Sequence, residues 1–255
     1  MIEIVQFPCL TDNYGFLVHD QGSGKTAAID TPDPDAILTA AKSRGWRIDE
    51  VWNTHWHPDH AGGNRALVAA TGALTRGPKE VADRFGPLVH ILQAGEVVSL
   101  GETQARVLDV GGHTRGHIAF VFDGEGVAFV GDALFALGCG RLFEGTAAQA
   151  WESLSRLMAL PDETLVYCAH EYTAANARFC ATIEPDNPAL LARIADITAL
   201  RAQGLPTVPT RIGLERATNP FVRADNLELR TALHLPNAPA AEVFAHIRAR
   251  KDSFA

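Results

Sequence analysis

Three histidines and one aspartate fall within six consecutive positions of the segment Thr54-His55-Trp56-His57-Pro58-Asp59-His60. Imidazole nitrogens and carboxylate oxygens are ligands for zinc and similar borderline divalent metals. The H-x-H-x-D-H spacing is too crowded for one tetrahedral ion that keeps an open position, but two ions can share it. A helix cannot present the first pair, because positions i and i+2 lie on different helix faces. An extended segment puts them on one face. His55 and His57 are therefore expected on a loop leaving a short strand within residues 48–53. An Ala-rich helix over residues 61–71 should then hold Asp59 and His60 at its N-terminus.

Three further candidates follow β-type runs. Residues 104–110 lead through Gly111-Gly112 into His113, residues 127–130 through Gly131 into Asp132, and residues 164–168 through Ala169 into His170. Loops at strand ends are where a rigid scaffold presents catalytic groups, and glycine lets the backbone pass close to a ligand. The elements that must position these residues are strands at 14–19, 26–29 and 118–122, and helices over Pro34–Arg44 and Ala147–Met158. Beyond residue 170 the pattern turns helical, at 188–203, 225–234 and 239–250. Gly22-Ser23-Gly24-Lys25-Thr26 imitates a phosphate-binding loop. His19 stands where that motif needs its first glycine, so the segment reads as a hairpin turn. Asp30 reads equally as a turn residue and as a support that orients a ligating histidine. His117 reads as a supporting or structural group, and Cys139 as structural.

The 255 residues are 47% hydrophobic and 20% charged, an ordinary globular composition, with net charge −8 and no Lys/Arg run. That balance argues against a nucleic-acid surface. No segment approaches the roughly 18 apolar residues of a membrane span, and the N-terminus lacks the pattern of an export signal. The four cysteines form no C-x-x-C pair and are expected as reduced thiols in a cytoplasmic, monomeric protein.

The ordered set H-x-H-x-D-H, His113, Asp132 and His170 resembles the metallo-β-lactamase superfamily. The resemblance implies an α+β protein: an αββα sandwich over residues 1–170, followed by a small helical domain over 171–255. It implies that His55, His57 and His113 hold one divalent ion, that Asp59, His60 and His170 hold a second, and that Asp132 bridges them. Zinc leads, with iron or manganese as other occupants. Further segments are similar to the glyoxalase II (hydroxyacylglutathione hydrolase) family: Cys9-Leu10-Thr11-Asp12-Asn13-Tyr14, Gly138-Cys139-Gly140-Arg141-Leu142-Phe143-Glu144-Gly145-Thr146, His170-Glu171-Tyr172-Thr173, Pro206-Thr207-Val208-Pro209, Asn219-Pro220-Phe221 and Arg248-Ala249-Arg250-Lys251-Asp252.

That resemblance implies hydrolysis of S-D-lactoylglutathione to D-lactate and glutathione in methylglyoxal detoxification. A hydroxide between two ions would be the nucleophile, with Asp59 and Asp132 fixing the geometry. A thiolate, whose conjugate acid has a pKa of roughly 8.5, leaves without a strong general acid. Arg141, Phe143, Tyr172, Arg248 and Lys251 are the implied glutathione contacts. Phe143 departs from the tyrosine common in the family. Two rival readings are a persulfide dioxygenase with one iron and a lactonase or β-lactamase. A third is a metal-stabilised binding protein without catalysis.

Overall fold

The computed structural model describes residues 1–254. They form two compact units. The first comprises Met1–Asp109 and Gly116–Gly131, the second Val110–Arg115 and residues 132–254. This partition differs from a cut at residue 170, because the loop carrying His113 falls with the residues from Asp132 onward. Ser153 Oγ, for example, donates to Gly111 O at 2.6 Å, and Phe143 N donates to His113 O at 3.2 Å.

The first unit opens on a sheet of β1 (Ile2–Cys9), β2 (Asn13–Asp20), β3 (Lys25–Ile29), β4 (Glu50–Trp52), β5 (Leu74–Gly77) and β6 (His90–Ile91), in that spatial order. The first three strands are antiparallel, with Ile2 opposite Asp20 and Phe16 opposite Ile29. From β3 onward the pairing is parallel. Parallel neighbours need crossovers, which α1 (Pro34–Arg44), α2 (Pro58–Ala61), α3 (Asn64–Thr71) and α4 (Lys79–Phe85) supply. Asp33 caps α1 by accepting from Asp35 N and Ala36 N, Pro34 starts it, and Gly45 closes it in the left-handed region. These are standard start and stop groups.

Leu17, Ala28 and Val51 of the sheet meet Ile37, Ala41 and Leu67 of the helices in a core at most 3% exposed. Burying each Leu, Ile or Val contributes about 1.5–3 kcal/mol. The other sheet face packs on four antiparallel strands, β7 (Val97–Leu100), β8 (Thr103–Asp109), β9 (Ile118–Phe122) and β10 (Val127–Gly131). Trp52 lies 5.2 Å from Phe120 and stacks on Phe122 at 6.0 Å, and Phe16 meets Phe129 edge-on at 5.4 Å. Helix, sheet, sheet is thus the layering of this unit. The imitation phosphate loop is the β2–β3 turn. There Asp20 accepts from Ser23 N and Oγ and, across the unit, from Glu102 N and Thr103 Oγ1.

The second unit contains β11 (Leu134–Phe135), β12 (Gly138–Cys139), α5 (Ala147–Met158), β13 (Leu165–Cys168), α6 (Thr173–Ile183), α7 (Pro188–Ala202), β14 (Thr210–Arg211), α8 (Ile212–Thr218), α9 (Leu227–Ala232) and α10 (Ala240–Asp252). β11 and β12 form a tight hairpin, and β13 pairs antiparallel with β14. Trp151 of α5 packs on Phe244 of α10, which also meets Phe221. Among the described residues, no helix is long and apolar enough to cross a membrane.

The expected single helix over 61–71 is two pieces. Asp59 and His60 lie inside the one-turn α2, and the poor helix formers Gly62-Gly63 separate it from α3.

Candidate functional site

The H-x-H-x-D-H segment runs from the end of β4 into α2 in the first unit. Asp30, at the end of β3, organises it. One carboxylate oxygen accepts from Thr54 N at 2.7 Å; the other accepts from Thr54 Oγ1 at 2.7 Å and from His60 Nδ1 at 2.8 Å. A carboxylate can only accept, so His60 carries its proton on Nδ1 and keeps the Nε2 lone pair. Thr54 Oγ1 gives its proton to Asp30 and therefore accepts from His55 Nδ1 at 3.1 Å. His55 is thereby held in the same tautomer. Ligating histidines are commonly fixed by a partner on the other ring nitrogen in this way. Asp30, His55 and His60 have ring and carboxylate atoms converging within 4.8 Å.

His117, fully buried, stacks on His55 with centroids 4.5 Å apart and bonds Ile118 O through Nδ1. Asn13 donates to Asp59 Oδ2 at 3.0 Å. Behind α2, Asn53 Nδ2 donates to His60 O at 3.0 Å and exchanges hydrogen bonds with Asn64. Gly131 ends β10 at φ +49, where a Cβ would stand 2.5 Å from Thr54 Oγ1 and 2.8 Å from the His117 ring. Glycine alone fits that space, and it takes that backbone conformation without strain.

In the second unit Asp132 lies between two imidazoles. Its Oδ2 is 3.4 Å from His113 Nε2 and its Oδ1 is 3.4 Å from His170 Nε2. His113 Nδ1 donates to Arg141 O at 2.7 Å, which leaves Nε2 as the ring atom able to ligate an ion. Phe143 meets the His113 ring edge-on at 5.3 Å, and Tyr172 stacks on His170 at 4.7 Å.

Two ligands of one tetrahedral ion with 2.0–2.1 Å bonds stand about 3.3 Å apart. The His55 Nε2–His57 Nδ1 separation is 3.0 Å and that of His60 Nε2 and Asp59 Oδ2 is 3.6 Å. With the two Asp132 pairs at 3.4 Å, all four separations fit neighbouring ligands on an ion. The donor set, imidazole with carboxylate, fits zinc, iron or manganese.

The other predicted contacts all fall in the second unit. Arg141 is exposed, its Nε 3.5 Å from Asp252 Oδ1. Arg248 is buried; it donates to Asp252 Oδ1 and to Cys139 O at 3.0 Å and lies over the Phe221 ring. Lys251 Nζ sits 5.4 Å from both the Phe179 and Phe254 rings. Burial, and next the Arg248 charge, hold its amine below the usual lysine range. Phe143 is 61% exposed and Tyr172 is 37% exposed. Sequence reasoning missed Asp252 as the partner of these cations, although its i,i+4 spacing from Arg248 was available. It also missed Asn13, which lies in the quoted Cys9–Tyr14 motif. Cys139 has the Arg248 guanidinium beside it, and burial raises its thiol pKa.

Profiles of two families match the chain: Metallo-beta-lactamase superfamily over residues 17–170, and Hydroxyacylglutathione hydrolase C-terminus over residues 171–254. The hydroxyacylglutathione hydrolase of Erythrobacter litoralis is 56% identical over 254 residues, covering 100% of both chains. The solved structure of ETHE1 from Myxococcus xanthus superposes with a TM-score of 0.67 at 26% identity, covering 98% of both chains. TTHA1623, solved in a di-iron-bound form, gives 0.61 at 26% identity, covering 86% of this chain and 99% of its own.

Proposed function

This chain belongs to the hydroxyacylglutathione hydrolases of the metallo-β-lactamase superfamily, and on that footing we propose that it cleaves S-(2-hydroxyacyl)glutathione thioesters, S-D-lactoylglutathione foremost, using two divalent ions. The superfamily fold hosts many chemistries. The observation that carries this reading is that the match continues past the fold, through residues 171–254, into the part specific to hydroxyacylglutathione hydrolases. The same two matches support a functional division at 1–170 and 171–255.

In this reading, which follows the family resemblance, His55, His57 and His113 would hold one ion and Asp59, His60 and His170 the second. Asp132, with one oxygen 3.4 Å from His113 Nε2 and the other 3.4 Å from His170 Nε2, would serve both ions. The relative solved with two irons supports two ions; zinc is the first candidate, with iron or manganese as substitutes. Ions so held supply Lewis acidity to the thioester carbonyl and make a water acidic enough to attack near neutral pH. The chain's own residues fix the geometry. Asp30 and Thr54 set two histidine tautomers, Arg141 O sets a third, and Asn13 holds the Asp59 carboxylate.

Glutathione carries two carboxylates and an ammonium. Arg141 and Lys251 offer cations to the carboxylates, Asp252 matches the ammonium, and Tyr172 and Phe143 supply aromatic faces beside the ligating histidines. Arg248 contributes charge while bound to Cys139 O. The glutathione thiolate departs unaided. A cytoplasmic, monomeric enzyme accords with this glutathione-dependent reading.

The test is a steady-state assay with S-D-lactoylglutathione, paired with elemental analysis. The expected result is about two metals per chain, with Asp132→Ala abolishing turnover and lowering metal content. An active, fully loaded Asp132→Ala protein overturns the bridging assignment.

A further inference from the structure

The hairpin β11–β12 begins two residues after Asp132 and ends two residues before Arg141, and it is buried throughout. Five side chains from residues 171–254 bond its main chain. Asn219 Nδ2 donates to Phe135 O at 3.5 Å and Gly138 O at 3.1 Å. Asn176 Nδ2 donates to Ala136 O at 3.2 Å, Glu215 Oε2 accepts from Leu137 N at 3.0 Å, Cys180 Sγ donates to Leu137 O at 3.1 Å, and Arg248 donates to Cys139 O. Buried backbone groups in a short loop need such partners. Asn219 and Glu215 are 0% exposed and bonded to each other, and Glu215 is also paired with the buried Arg193.

The hairpin reaches the second unit's three metal ligands. Asp132 lies just before it and Arg141 O, just past it, holds His113. The ring of Phe135 stands edge-on to His170 at 5.9 Å. Gly140 packs so closely that a Cβ there would stand 2.1 Å from Asp132 O and 3.0 Å from the His113 side chain. A shift of the hairpin therefore moves Asp132, His113 and the ring against His170 together.

We propose that Asn219, with Asn176 and Glu215 beside it, is a positioning residue for the metal centre: it locks the β11–β12 hairpin so that Asp132 stays between His113 and His170. On this view the C-terminal segment builds the catalytic centre as well as meeting glutathione. The inference rests on Asp132 being a metal ligand, as proposed above.

The experiment compares the full-length parent with Asn219→Ala and with the milder Asn176→Ala, which removes one bond. Zinc affinity is read by competition with a chromophoric chelator, kcat and KM on S-D-lactoylglutathione, and folding by thermal melting of the metal-free protein. Loss of a group that orients a metal ligand typically weakens metal affinity or activity about 10- to 100-fold. The expected result is zinc affinity down about tenfold or more for Asn219→Ala and less for Asn176→Ala, with kcat reduced and KM within about twofold. Unchanged zinc affinity and kcat in the folded variants, with only a lower melting temperature, overturns the proposal. If Asn219→Ala does not fold, the same criterion applied to Asn176→Ala decides. A parent that takes up no zinc, iron or manganese instead overturns the metal assignment, and the proposal with it.

Discussion

Asp30→Asn isolates the proton placement that the site depends on. Asparagine keeps the shape and tolerates the left-handed backbone that Asp30 adopts at φ 59, so the change is electronic, not steric. The amide oxygen can still accept from Thr54 N. The amide nitrogen then faces Thr54 Oγ1 and His60 Nδ1, where an acceptor stood before. Two donors now oppose each other, and His60 relieves this by moving its proton to Nε2, the nitrogen that lies 3.6 Å from Asp59 Oδ2. The metal must then win that proton back. Thr54 Oγ1 accepts from the new amide, loses its preference for His55 Nδ1–H, and weakens the second tautomer as well.

A hydrogen bond to a charged group is worth about 1.5–3 kcal/mol, and 1.4 kcal/mol is a factor of ten, so zinc affinity should fall about 10- to 100-fold. The assay is chelator competition at fixed pH, with melting of metal-free and zinc-loaded protein. The gap between the two melting temperatures should shrink, because a weaker ligand stabilises less. An Asp30→Asn protein that binds zinc as tightly as the parent refutes the tautomer argument.

Asn13→Ala removes the donor to Asp59 Oδ2 and should weaken zinc by about tenfold without changing KM, measured by the same competition. Phe143→Tyr adds a hydroxyl to an exposed ring and should lower KM, by up to about tenfold for a bond worth about 0.5–1.5 kcal/mol; an unchanged KM counts against Phe143 as a glutathione contact. Burial raises the Asp20 carboxyl, but bonds from Ser23, Glu102 and Thr103 outweigh it and hold the group well below the usual carboxylate range. A depressed carboxylate contributes stability that is complete above its unfolded pKa, about 3.9, and is lost as pH falls through the folded value. Asp20→Asn should therefore be less stable than the parent at pH 7, with the difference shrinking below about pH 4, as read from urea unfolding across pH.

Helix α1 was legible to the residue because Asp33, Pro34 and Gly45 mark both ends with groups whose geometry is local. Helix α5 was equally clear, capped by Thr146. Helix α6 was not foreseen. Tyr172 offers it no side-chain cap, and six of its residues are buried, including Thr173 and Asn176, so no single apolar stripe announces it. The candidate metal ligands were readable because their types are costly to place without purpose and stand at strand ends. Their supports were not. Asn64 and Asn219 are ordinary polar residues until the fold places them against Asn53 and the hairpin, 11 and 81 positions away. Arg248 was assigned to glutathione by the family resemblance, while its carbonyl partner Cys139, 109 positions off, was not foreseen.

Gly131 bears on how this enzyme could be re-engineered. A library aimed at other acyl groups would naturally saturate the loop around Asp132. At position 131 each of the nineteen alternatives drives a carbon into Thr54 Oγ1, the atom that relays Asp30 to His55. Such members should lose the support of His55 before their specificity can be scored, and a screen would count that as a specificity failure. Diversity belongs instead at Phe143, whose exposed ring borders the centre without carrying it, with position 131 held fixed.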